Sequence, residues 1–154
     1  MPASPSTAPH GLNTITPYLT CADAGEAIAF YKKAFGASEV MRLAGPGGKI
    51  MHACLGIYGS HVFLSDEFPD FGNVSPKTLN GTTVSIHIFV EDADAAIARA
   101  ASAGAKVIMP AADMFWGDRF GMVADPFGHK WTLATHLRDM TAEEIQAAMA
   151  EMEG

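Results

Sequence analysis

A segmental repeat constrains this chain more than any other feature. "DAGEAIAFYKKA", from Asp23 to Ala34, lies 69 positions ahead of "DADAAIARAASA", from Asp92 to Ala103. Each copy opens on an Asp, whose carboxylate can accept from the unpaired N–H groups of a helix's first turn. Apolar residues then recur at helical spacing: Ala24, Ala27, Ile28 and Tyr31 in one copy, Ala93, Ala96, Ile97 and Ala100 in the other. That pattern predicts two amphipathic helices. A helix-stopping glycine follows each, Gly36 and Gly104. The same offset carries "TITPYLTC" (Thr14 to Cys21) onto "TVSIHIFV" (Thr83 to Val90) ahead of the helices, and "GSHVFL" from Gly59 onto "GHKWTL" from Gly128 behind them. Three element types sharing one offset predict two successive β-α-β-β-β blocks.

The expected organisation is one α+β domain. Residues 1–11, rich in Pro, Ser and Ala, read as a flexible N-terminal tail, with no cationic start or apolar run of a signal peptide. The first module spans 12–66 and the second 83–137. Between them, 67–82 is broken by Pro69, Gly72, Pro76 and Gly81 and reads as a connecting loop. In 138–154, Thr141 and Glu144 form a capping box ahead of Ile145, Ala148, Met149 and Met152, predicting a C-terminal helix.

Charge and composition narrow the partners. With 10 basic and 17 acidic residues, the chain carries a formal charge of −7, which opposes binding to nucleic acid or to an anionic membrane surface. No segment has the roughly 18 uninterrupted apolar residues of a membrane span. Cys21 and Cys54 sit in apolar strand-like runs, where a thiol acts as a small hydrophobe, and no disulfide is expected between them. Nothing calls for an oxidising compartment, and the cytoplasm is the expected location.

The tandem βαβββ order, the phrase "AIAFYKKAFGA" and the turn "DPFGHKW" resemble the vicinal oxygen chelate superfamily of glyoxalase I, extradiol dioxygenases, fosfomycin resistance enzymes and bleomycin resistance proteins. The resemblance covers residues 12–137, and "IMHACLGIYGSHVFLSDE" and "FWGDRFGMVADPFGHKWTLATH" are similar to its PhnB-like branch. It implies the glyoxalase/bleomycin-resistance fold, a curved mixed sheet around a cleft, and a homodimer. Some PhnB-like relatives bear a demethylubiquinone methyltransferase label. This chain has no Gly-rich strand-to-helix loop to hold a methyl-donor nucleotide, so methyl transfer is not expected.

The resemblance also bears on metal. In metal-dependent members each module supplies two ligands, usually His or Glu, from its first and last strands. Carried over through the helix and turn landmarks, these positions fall on Thr16 and Phe63, and on Ser85 and Thr132. None is a usual ligand for a catalytic divalent ion, and Phe63 cannot ligate at all. Sliding the alignment by two residues, which keeps the strand face, gives Tyr18, Ser65, His87 and Ala134 in one direction and Thr14, His61, Thr83 and Lys130 in the other. Each set holds one histidine. No metal or other cofactor is therefore expected, and an unconventional divalent site from His52, Asp66, His129 and His136 is the alternative.

The remaining candidates line the expected cleft. "MFWGDRFG" gathers Met114, Phe115, Trp116 and Phe120 around Asp118 and Arg119. Its aromatics can stack on a flat ligand while Arg119 forks onto an anionic group, or they can close the sheet's end with Arg119 paired to Asp118 or Asp125. Strand alternation sends Thr132 inward and Trp131 toward the helix layer, with Tyr18, Ser65 and His87 sharing the inward face; the facing of His52 is left open. Asp66 reads either as a base or as a strand-end cap, and His87 is the second weak catalytic candidate. His61 and His129, each just after a turn glycine, are expected to be solvated. The ligand-binding set is Tyr18, His52, Ser65, His87, Trp116, Arg119 and Thr132. The expected function is metal-independent binding of a partly aromatic small molecule, in the manner of bleomycin resistance proteins. The rivals are a metal-dependent lyase or dioxygenase of the same superfamily with relocated ligands, and an assembly protein with a filled cleft.

Overall fold

The computed structural model describes residues 7–153. The chain divides into two compact units that meet in sequence between Gly81 and Thr82. Residues 1–6 of the expected tail lie outside the described residues.

The first unit runs β1 (Tyr18–Cys21), α1 (Ala24–Phe35), β2 (Ser38–Ala44), β3 (Ile50–Ile57) and β4 (Ser60–Asp66), followed by the short α2 (Pro76–Leu79). Its sheet has the order β1-β4-β3-β2, parallel between β1 and β4 and antiparallel elsewhere. The second unit repeats the plan with β5 (Ser85–Phe89), α3 (Ala93–Ala103), β6 (Lys106–Asp113), β7 (Asp118–Ala124) and β8 (Lys130–His136), then α4 (Ala142–Glu153). Its sheet order, β5-β8-β7-β6, is the same topology one module on. Each module thus forms its own four-stranded mixed sheet.

Local chemistry explains the elements. Asp23 and Asp92 take extended backbone at the helix starts and accept from Glu26 N and Ala95 N, both at 3.0 Å. At the far end of α1, Gly36 adopts a left-handed φ of 65°, which a Cβ would disfavour. The buried residues of α1 are Ala24, Ala27, Ile28, Phe30, Tyr31, Ala34 and Phe35, and those of α3 are Ala93, Ala96, Ile97 and Ala100. Small residues dominate α3 and allow close approach of helix and sheet: a Cβ on Gly121 of β7 would collide with Ile97.

Two expected boundaries moved. The first strand begins at Tyr18 rather than Thr14, because Pro17 has no N–H to extend the ladder, although its carbonyl still accepts from Phe63 N at 2.9 Å. The connecting loop is also not featureless. It contains a single turn at Pro69–Phe71 and the four-residue α2, capped by the fully buried Ser75. At the C-terminal helix, Thr141 Oγ1 accepts from Glu144 N at 3.1 Å, which is half of the predicted capping box.

Candidate functional site

Each sheet has a face covered by its own helix and a face without one. Asp66 of β4 reaches the N-terminus of α1, so by strand alternation Val62 and Leu64 also point toward the helix, while His61, Phe63 and Ser65 point away. In the second unit, Thr135 accepts from Ala93 N of α3 at 2.8 Å. Trp131, Leu133 and Thr135 therefore face the helix, and Thr132 and Ala134 the opposite side. The predicted opposition of Trp131 and Thr132 holds: the indole is fully buried and donates to Asp125 Oδ2 at 2.9 Å.

On the helix-free face of the first sheet, Tyr18, His52 and Phe63 form a cluster. The Tyr18 hydroxyl lies 2.7 Å from His52 Nδ1, and the Tyr18 and His52 rings meet Phe63 edge-on at centroid distances of 5.6 and 4.8 Å. This answers the facing left open for His52. Partial desolvation by its neighbours raises the Tyr18 pKa. Ser65, buried two residues beyond Phe63, shares the face and bonds to the Asp66 carbonyl at 3.1 Å.

The second sheet carries the counterpart. His87 Nδ1 is 2.6 Å from Thr132 Oγ1, and its ring stacks with Phe120 at 5.9 Å and meets Phe89 edge-on at 4.7 Å. Thr132 is only 5% exposed, whereas Phe89 is 62% exposed. Trp116, in the turn between β6 and β7, lies 5.5 Å from Phe120 and donates to Asp118 Oδ2 at 3.2 Å. The other oxygen of Asp118 is 2.7 Å from His136 Nδ1, and His136 Nε2 is 2.6 Å from Asp139. Asp139 and then Asp118 raise the pKa of His136 by stabilising its cation.

Several expectations need correction. The register sets Tyr18 opposite Phe63 and His87 opposite Thr132, so the carried-over positions Thr16 and Ser85 do not stand across from their last-strand counterparts. Thr16 lies before β1 and Ser85 pairs with Lys130. Asp66 is not placed as a base: its two oxygens accept from Ala24 N and Ile50 N, both at 2.7 Å, pinning the starts of α1 and β3. Arg119 pairs with neither Asp118 nor Asp125. It lies on the α3 side, bound to Asp94 at 2.5 and 3.0 Å and to Asp113 at 2.9 Å, and so points away from the His87 face. Those two carboxylates raise its pKa, Asp94 foremost. His129 is buried rather than solvated, whereas His61 is partly exposed.

The residues do not fit the family's metal. Where first and last strands pair on the helix-free faces, the side chains are Tyr18 and Phe63, and His87 and Thr132, which offer one ordinary ligand among four. Among the described residues no group of three or more His, Cys, Asp or Glu is placed to hold an ion. The alternative set is dispersed within each unit: His52 and Asp66 face opposite sides of one sheet, and His129 and His136 flank opposite ends of β8.

Sequence reasoning missed Phe89 and Asp139 and misplaced Phe120. Phe89 was available from alternation, two residues after His87 on one strand. Phe120 was noticed as part of an aromatic loop, but it stands in β7. Asp139 lies outside the modules and has no local signal. An open surface depression of about 310 Å³, lined by residues of the segment ahead of β1, among them Leu12, Asn13 and Thr16, and by Tyr18 and Phe63, was also not foreseen.

Comparison with known proteins agrees with this architecture. The chain is 48% identical over 139 residues to an uncharacterized protein of Mycobacterium bovis, covering 88% of this chain and 91% of that one. A solved gene product of Arabidopsis thaliana superposes with a TM-score of 0.65 at 29% identity, covering 80% of this chain and 98% of that chain. A PhnB protein of Bacillus cereus, named as a 3-demethylubiquinone-9 3-methyltransferase, shares the fold with a TM-score of 0.60 at 20% identity, covering 80% and 99%. The family model described as Glyoxalase/Bleomycin resistance protein/Dioxygenase superfamily matches residues 11–133, and with the repeated βαβββ module already in view, the chain belongs to that superfamily.

Proposed function

We propose that this protein binds a partly aromatic small molecule on the helix-free faces of its sheets, without a metal ion and without transforming the ligand. The observation that carries the reading is the chemistry of the paired first- and last-strand positions. Phe63 offers no donor atom, Tyr18 is hydrogen-bonded to His52, and Thr132 offers only a hydroxyl, so His87 is the one ordinary ligand among the four. What these positions do present is ring surface. Tyr18 is 54% exposed, and Phe89, Phe120 and Trp116 gather around His87. Aromatic surface with a few directional polar groups is the usual composition of a small-molecule site.

The first test is metal content. Purified protein is incubated anaerobically with zinc, nickel, manganese and ferrous iron, then desalted and measured. Well under one ion per chain is expected. Near-stoichiometric metal that disappears in His87→Ala would overturn the reading and favour a lyase or dioxygenase. The second test screens aromatic compounds by tryptophan fluorescence, since Trp116 lies beside Phe120. Thr132→Val, which keeps the shape but removes the hydroxyl, should weaken a fluorescent hit by a few-fold to about tenfold. A homodimer belongs to the same reading, and sedimentation equilibrium should give twice the chain mass.

A further inference from the structure

His136 closes β8 with both ring nitrogens against carboxylates. Nδ1 lies 2.7 Å from Asp118 of β7, and Nε2 lies 2.6 Å from Asp139, in the linker that joins β8 to α4. The two carboxylates stand in opposite surroundings. Asp118 is buried, and its second oxygen accepts from the Trp116 indole at 3.2 Å, whereas Asp139 is fully exposed. Among the described residues no other charged group pairs with the ring. From β5 it meets only the Phe89 ring, edge-on at 6.5 Å, and the turn between β6 and β7 reaches it through the contact of Trp116 with Asp118. The linker is fastened at its start, where Leu137 N and Arg138 N donate to the Gly117 carbonyl at 2.9 and 3.2 Å. Past Arg138, Met140 lies over Gly117, and among the described residues the Asp139 bond is the one hydrogen bond from linker to sheet. The helix α4 follows and buries none of its side chains, so its hold on the sheet runs mainly through this linker.

An imidazolium donates from both nitrogens and can serve two carboxylates at once. A neutral imidazole has a single N–H, so one of the two carboxylates then faces a lone pair. We propose that His136 is a pH-operated clasp: protonated, it fastens the linker ahead of α4 to the end of the sheet, and neutral, it lets go of Asp139 and frees linker and helix. The surroundings set which side opens. Asp118, buried, would be left short of a donor without the imidazole N–H, whereas Asp139 already stands in solvent and regains its hydration at little cost. The neutral ring therefore keeps its proton on Nδ1. Asp139 and then Asp118 favour the cation, which puts the midpoint of His136 above that of an unperturbed histidine. The clasp is closed below that midpoint and opens as pH rises through it.

The test follows amide nitrogen relaxation of the full chain from about pH 5.5 to about pH 8.5, the span in which histidines titrate. The heteronuclear NOE of residues 141–153 reports fast motion of the helix as a body. In the wild type it should fall as pH rises, with the same midpoint that the His136 ring signals give in the same samples. Asp139→Ala, at an exposed position, should keep the fold, leave the NOE low at every pH and move the His136 midpoint downward. In His136→Gln the NOE should lose its pH dependence. A wild-type NOE that does not change with pH, or a fall with a midpoint other than that of His136, would overturn the clasp. So would a fall that either variant leaves intact, or a helix that stays ordered in Asp139→Ala.

Discussion

Asp66→Ala removes an acceptor shared by two elements. In the intact protein, one carboxylate oxygen receives Ala24 N and the other Ile50 N, each at 2.7 Å, and the residue is only 8% exposed. Hydrogen bonds to a charged acceptor contribute about 1.5–3 kcal/mol each, and a buried N–H left without a partner costs about 1–3 kcal/mol. Partial rescue by water lowers the sum of two such losses, so about 3–5 kcal/mol is expected. The repeat supplies an internal control. Thr135 stands 69 positions after Asp66 and holds the corresponding helix start through a single bond to Ala93 N at 2.8 Å. Thr135→Ala should cost about 0.5–2 kcal/mol, as for the loss of a helix cap. Urea unfolding followed by far-ultraviolet circular dichroism gives both values. If Asp66→Ala loses no more stability than Thr135→Ala, the carboxylate is not the double clamp described here, and its assignment as structural rather than catalytic fails with it.

Two further predictions follow from the second unit. His136 has a raised folded-state pKa through Asp139 and Asp118, so its contribution is fully present below the unfolded pKa and disappears as pH rises through the folded value. The stability gap between wild type and His136→Gln should therefore narrow from mildly acidic to alkaline pH; a gap that widens would contradict the assignment. Gly117 has a φ of 98°, and a Cβ there would sit 2.6 Å from the Arg138 carbonyl oxygen. Gly117→Ala should destabilise by about 1–3 kcal/mol in the same urea assay, and a neutral result would show that the turn before β7 relaxes freely.

The repeat made the element order, both helices and their Asp caps legible, because hydrogen-bond periodicity and capping are local and leave their pattern in consecutive residues. Alternation along "HKWTLATH" likewise separated Thr132 from Trp131, since side chains on a strand point to opposite faces in turn. Register was beyond reach. Whether Thr132 pairs with Ser85 or His87 depends on how two strands distant in sequence slide, and a shift of two residues leaves every face unchanged. The partner of Arg119 was hidden for a related reason: its neighbours in sequence are Asp118 and Asp125, whereas folding brings Asp94 of α3 and Asp113 of β6 against it. The same holds for Asp66, whose two N–H donors come from a helix 42 residues away and a strand 16 away. Local patterning thus determined the elements and their buried faces, and the tertiary structure alone decided which polar groups satisfy one another and which remain to meet a ligand.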